Sequence, residues 1–214
     1  MIIKEIIGII IGYLLGSIPS AYIATRLASG KDVRQIGGGN VGGLNVYREV
    51  GAWPALAVGI VDLGKGAAAA AIAYWLLDLS PVFVLAAGLA AVIGHNWMVW
   101  LKFSGGKSMG VTIGALAVLF PVYGYWPGLL IIFAVILIPY ALTHNIAIAM
   151  GLALVVLPFI TWLGMNSGTG TIMAVILGLA IGLKFLPTAR AAWTKADSKK
   201  NEFFFDHWQR DKKE

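Results

Sequence analysis

The chain has 214 residues, 59% hydrophobic and 12% charged, with a formal net charge of +6 and a mean hydropathy of +0.83. That composition excludes an ordinary soluble domain: residues 108–183 contain no Asp, Glu, Lys or Arg, so the chain reads as an integral membrane protein. It has no cysteine, which excludes disulfides and thiolate metal sites, and neither a metal nor a cofactor is expected. The basic residues cluster beside apolar segments, which ties them to membrane topology and argues against nucleic acid as a partner.

A helical span needs ~20 apolar residues and must close its backbone hydrogen bonds within itself. In chain order the sequence predicts an all-α polytopic protein with spans at 5–27, 53–77, 81–101, 108–123, 126–142, 145–163 and 170–187. Gly-, Pro-, Asn- and Ser-rich stretches such as LDLSP, FSGGK and GMNSGTG separate them. Arg26, Lys31, Arg34, Arg48, Lys102, Lys107 and the run from Lys184 onward fall on one side, with Lys4 and Asp78 on the other. By the positive-inside rule the N-terminus is outside and the C-terminus cytoplasmic. The expected organisation is one seven-helix domain over 1–187 with cytoplasmic loops at 28–52 and 102–108, followed by a basic tail over 188–214. That tail, with aromatic residues at 203–205 and Trp208, suits either anionic lipid or solvent. Gly178 and Gly182 are spaced to let the last span approach a neighbour closely.

Two stretches stand apart from the apolar background. IGGGNVGGLNVYREVG, residues 36–51, offers glycine backbone whose N–H groups can form a nest for an anion. It is preceded by Arg34 and contains Gly38, Gly39, Asn40, Gly42, Asn45 and Arg48; Arg pairs phosphate bidentately and the Asn amides can donate. GHNWMVWLKFSGGKSMG, residues 94–110, brings His95, Gly105, Gly106 and Lys107 to the same face. Two glycine-plus-cation loops on one surface suit phosphate groups. Neither loop has the spacing and context of a nucleotide-binding motif. Within the membrane, Asp62 and Lys65 lie three apart on one helix face and can pair, in a position to brace the first loop from below.

Together GSIPS (16–20), the 32–51 pattern D-x-R-x-x-G-x-G-N-x-G-x-x-N-x-x-R-x-x-G, DxxKG and GHNW…KFSGGK resemble the bacterial acyl-phosphate:glycerol-3-phosphate acyltransferases (PlsY). The resemblance covers residues 16 to about 112 and beyond that rests on hydropathy. It implies a multi-pass protein of the bacterial inner membrane, with an external N-terminus, that moves a fatty acyl group from acyl phosphate to the 1-hydroxyl of sn-glycerol 3-phosphate. Lysophosphatidic acid is the implied product, and membrane lipid the surrounding partner; oligomeric state is left open. Carried over by residue, Arg48 and Lys107 are implied to hold phosphates, and Asn40 and Asn45 to position substrate. His95 is a general base or a hydrogen-bond donor to phosphate. The family's GSGNxGATN reads GGGNVGGLN, with Gly38 for its serine and Leu44 for its threonine. FKGGKG reads FSGGKSMG, with Ser104 for a lysine and Ser108 for a glycine. A third motif, arginine–histidine followed by asparagine–isoleucine, is not found; Phe185 and Thr188 stand near its histidine and asparagine, and His207 in the tail is a poor match. These departures leave open a different acceptor or a non-catalytic phospholipid-binding role. An organic-phosphate transporter fits less well, because the last four spans offer no charged path.

Overall fold

A computed structural model describes residues 2–196, with side chains through residue 186. Its elements are α1 (Ile2–Gly16), α2 (Ser20–Ser29), α3 (Gly43–Glu49), α4 (Ala52–Ala71), α5 (Pro81–Asn96), α6 (Met109–Val122), α7 (Pro127–Thr143), α8 (Ile146–Gly164) and α9 (Gly168–Ala196). No strand occurs among the described residues. Five helical segments, Ile2–Ser29, Ala52–Leu76, Pro81–Leu101, Ile146–Gly164 and Gly168–Leu186, are long and apolar enough to cross a bilayer. α6 and α7 are equally apolar but shorter. The tail residues 197–214, including 203–205, His207 and Trp208, lie outside the described residues.

The first segment, expected as one continuous span, is broken between α1 and α2. Pro19 is the cause: it has no N–H to continue the ladder, its ring collides with the carbonyl a turn earlier, and it drives Ile18 out of the helical region. The break frees backbone oxygens inside an apolar protein, and these must find donors. The Ile18 carbonyl accepts from the Ser20 N–H at 3.0 Å and from the Lys65 ammonium at 2.9 Å.

Helices in lipid gain little from apolar burial, so they pack through small residues that let backbones touch. A Cβ on Gly16 of α1 would overlap the Ala91 carbonyl of α5, and one on Gly66 of α4 would overlap the Val111 carbonyl of α6. Gly178 and Gly182, spaced for close packing within the chain or against a second copy, make no such approach within the chain. Gly182 meets nothing within 4 Å and Gly178 only the Leu154 carbonyl at 3.8 Å. Gly16→Ala is therefore expected to cost about 1–3 kcal/mol through forced separation of α1 and α5. The unfolding midpoint in detergent checks this; an unchanged midpoint would mean that the helices part freely.

The glycine-rich stretch after α2 is only half a loop. Residues 36–42 are irregular, and Gly43–Glu49 forms the short helix α3, so Asn45 and Arg48 stand on a helix. Its inner side is fixed by an apolar cluster: Val33, Val41 and Val46 pack with Val58 of α4 and with Met98 and Leu101 from the segment after α5. Buried valine and methionine thus bring both polar stretches to one end of the helix assembly.

Candidate active site

The first loop is shaped by one side chain. The amide of Asn45, buried on α3, accepts from the Gly38 N–H at 3.2 Å and donates to the Val33 and Ile36 carbonyls at 3.2 Å each. Expected to face substrate, Asn45 instead has its hydrogen-bonding capacity turned into the loop that it closes. Gly39 has φ +67°, a left-handed backbone that an L side chain rarely adopts. Gly38 is exposed with open space above it, and Asn40 lies against Gly42. Arg34 is already engaged: Asp32 holds its guanidinium at 2.6 Å, and its charge lies 5.6 Å from the centre of the Tyr22 ring. That guanidinium keeps the Asp32 carboxyl at about 2.

The second loop covers His95. The Gly106 N–H donates to the His95 carbonyl at 3.0 Å, and a Cβ on Gly106 would run into both the imidazole Nε2 and the Val41 carbonyl. Gly105 lies equally close to the His95 and Asn96 carbonyls. Only bare backbone fits between the histidine and the first loop, so the two polar stretches meet at Gly106. Ser108, at the end of this loop, also sits in the left-handed region at φ 56°. Its hydroxyl donates to the Val92 carbonyl at 2.9 Å and also reaches the Asn96 side chain, and these bonds hold a conformation that glycine would adopt without strain.

Beneath the loops lies a buried polar knot. Asp62 Oδ1 accepts from the Ser20 hydroxyl at 2.6 Å and pairs with the Lys65 ammonium at 2.8 Å. His95 Nδ1 stands 3.6 Å from the same oxygen, too far for a hydrogen bond, and has no other partner. Asp62 and Lys65 therefore brace the Pro19 break and flank His95. They do not support the first loop from below as their sequence position suggested, because the Lys65 ammonium is taken up by the Ile18 carbonyl at the break and by Asp62.

Each stretch also carries a cation. Lys107 is half-buried and Arg48 exposed. Burial first, and then the Arg48 charge, lower the Lys107 ammonium from its ordinary value of 10.5. Two like charges within electrostatic reach of each other are eased by an anion between them. Among the described residues no cluster of three His, Cys, Asp or Glu side chains could hold a metal ion.

A family model described as glycerol-3-phosphate acyltransferase matches residues 6–193. "Glycerol-3-phosphate acyltransferase 1" of Dehalococcoides mccartyi is 49% identical over 95% of this chain and 97% of its own length. The chain belongs to the glycerol-3-phosphate acyltransferase family. "Glycerol-3-phosphate acyltransferase 2" of the same organism is 36% identical over 92% of this chain and 91% of its own. Among solved structures, a crystal structure of PlsY (YgiH), an integral membrane glycerol 3-phosphate acyltransferase in its glycerol 3-phosphate form, superposes with a TM-score of 0.78. It is 26% identical over 89% of this chain and 92% of that one. The lysophosphatidic acid form of the same enzyme gives 0.75. The recognition made on residues 16 to 112 thus extends over nearly the whole chain.

For this acyltransferase-family chain, the structure adds residues that the motifs did not single out. Ser20 was legible only as part of GSIPS, with nothing to say that its hydroxyl meets Asp62. Lys184 and Phe185 of α9 reach the second loop: the Lys184 ammonium lies 4.9 Å from the Trp97 ring centre, and the Lys107 ammonium 4.3 Å from that of Phe185. The Asn96 amide donates to the Ala180 carbonyl at 3.4 Å, one turn before Lys184. A family histidine was expected near position 185, and Phe185 occupies that ground beside the loops. Thr188 has no described side chain.

Proposed function

We propose that the chain transfers a fatty acyl group from acyl phosphate to the 1-hydroxyl of sn-glycerol 3-phosphate, releasing phosphate and giving lysophosphatidic acid. Family membership supplies the acceptor class. The observation that supports the site is the pair Arg48 and Lys107, one cation from each glycine-rich stretch, whose charges act on each other. Both substrates bear phosphate, so two cations on glycine-rich stretches match the charge to be bound. The hydroxyl oxygen attacks the acyl carbonyl carbon, the C–O bond to phosphate breaks, and phosphate leaves with the bonding pair. An acyl phosphate has a good leaving group, so positioning and charge stabilisation supply most of the barrier reduction. Arg48 and Lys107 hold the phosphates, and Gly38, Gly39, Asn40, Gly42, Gly105 and Gly106 line the ground beneath them. Asn45 shapes the first loop. His95, a general base or a hydrogen-bond donor to phosphate in the family reading, lies buried under Gly106 with Nδ1 facing Asp62. The acyl chain lies against the apolar helices, where Leu85, Thr112, Leu116, Leu157 and Leu177 line an apolar crevice among α5, α6, α8 and α9.

Hydropathy supports seven spans, the family resemblance a bacterial inner membrane, and the charge distribution an external N-terminus with both loops cytoplasmic. Incubating purified protein with palmitoyl phosphate and glycerol 3-phosphate, with palmitoyl-CoA as a parallel donor, tests the reading. Phosphate release and lysophosphatidate formation from the acyl phosphate alone are expected. Binding of glycerol 3-phosphate without turnover would favour the non-catalytic alternative. Because burial and Arg48 lower the Lys107 ammonium, its charge is lost as pH rises toward a value below 10.5. Turnover is expected to fall along that limb. Lys107→Arg, charged throughout, should move the fall to higher pH in a rate–pH profile even where its maximum is lower. An unmoved limb would mean that another group titrates there.

A further inference from the structure

Consecutive residues of α9 engage the second loop and the end of α5 in reciprocal cation–π contacts. Lys184 sends its ammonium over Trp97, and Phe185 receives the ammonium of Lys107. Ala180, one turn earlier, is tied by Asn96, so this stretch of α9 is docked along one face. The Lys107 contact has a chemical consequence. Lys107 is half-buried and the Arg48 charge acts on it. A phenyl face attracts the ammonium through its quadrupole without itself neutralising the charge.

We infer that Phe185 is a positioning residue for the reaction: its ring face orients the Lys107 ammonium that the proposed function assigns to phosphate. This rests on the proposed acyl transfer for what phosphate is doing there, and on geometry alone for the contact. Phe185 touches no reacting atom. It acts through Lys107, from a helix that carries none of the glycine-rich motifs.

The deciding experiment replaces Phe185 with mono-, di- and trifluorophenylalanine in the full-length protein. The shape stays nearly constant while the ring face loses its negative potential stepwise. The kcat/KM with palmitoyl phosphate and glycerol 3-phosphate should fall with each fluorine, by about tenfold for the trifluoro ring, the order of a partly desolvated cation–π contact. Phe185→Leu should fall by a similar factor, and Phe185→Tyr should recover most of the loss. A purely packing role predicts a flat fluorine series, and a flat series overturns the inference even if Phe185→Leu fails to fold. Calorimetric binding of glycerol 3-phosphate by the same series reads the Lys107 charge without turnover. Graded weakening with no turnover in any form would keep the placement of Phe185 and remove acyl transfer; binding insensitive to fluorine would remove the placement.

Discussion

Lys107→Ala is expected to lower kcat by about two to three orders of magnitude while the protein remains folded. As the acyl–oxygen bond breaks, negative charge gathers on the departing phosphate, and a half-buried ammonium stabilises that charge more than water can. Removing one preorganised donor to a developing anion typically costs that much, or about 3–4 kcal/mol. Lys107 sits on a loop and makes no part of the helix crossings at Gly16 and Gly66, so stability should be retained. Arg48→Ala on α3 is the companion, and the same order of loss is expected. Steady-state kinetics with both substrates varied, beside an elution profile from size-exclusion chromatography, separates lost chemistry from lost folding. Wild-type turnover in either variant would remove the assignment of that residue to phosphate.

Asp62→Ala is expected to destabilise the fold by about 3–5 kcal/mol, the usual consequence of leaving one member of a buried ion pair without its partner. The Lys65 and Asp62 side chains are 2% and 9% exposed, so water cannot replace the missing carboxylate. The Ser20 hydroxyl loses its acceptor at the same time. Lys65→Met should be comparably damaging, because it leaves the buried Asp62 carboxylate unpaired and removes one of the two donors to the Ile18 carbonyl at the Pro19 break. The double substitution Asp62→Ala with Lys65→Met removes both charges and should cost clearly less than the sum of the single losses. Thermal unfolding of the four proteins in one detergent gives the coupling. Strictly additive losses would mean that the pair does not hold the break.

Much of this protein was legible in its sequence because the bilayer leaves few options. Where no water can satisfy a backbone, a long apolar run must be a helix, and the helices begin and end close to the apolar limits. The two polar stretches were equally legible, since glycine, asparagine and arginine have no other reason to interrupt such a chain, and their order was enough to identify the family. Asp62 and Lys65, three apart on one helix, could be paired from spacing alone.

What each polar group meets was not legible, because contacts between distant segments depend on how helices cross. Spacing places Asn45 beside Arg48 but does not say that its amide closes its own loop. It does not reveal that Pro19 frees a carbonyl at the height of Lys65, nor that Asp32 engages Arg34. The meeting of His95, Gly106 and Val41 requires α5 to bring the second loop against the first, and the Gly16–Ala91 crossing holds α5 against α1. The arrival of Lys184 and Phe185 at that loop is the furthest from sequence. An aromatic ring at the end of an apolar helix looks like any lipid-facing side chain until the fold sets an ammonium over it. The sequence by itself determined that the chain is helical, membrane-embedded and built for phosphorylated substrates; only the packing of its helices decided which cations, carbonyls and rings stand together.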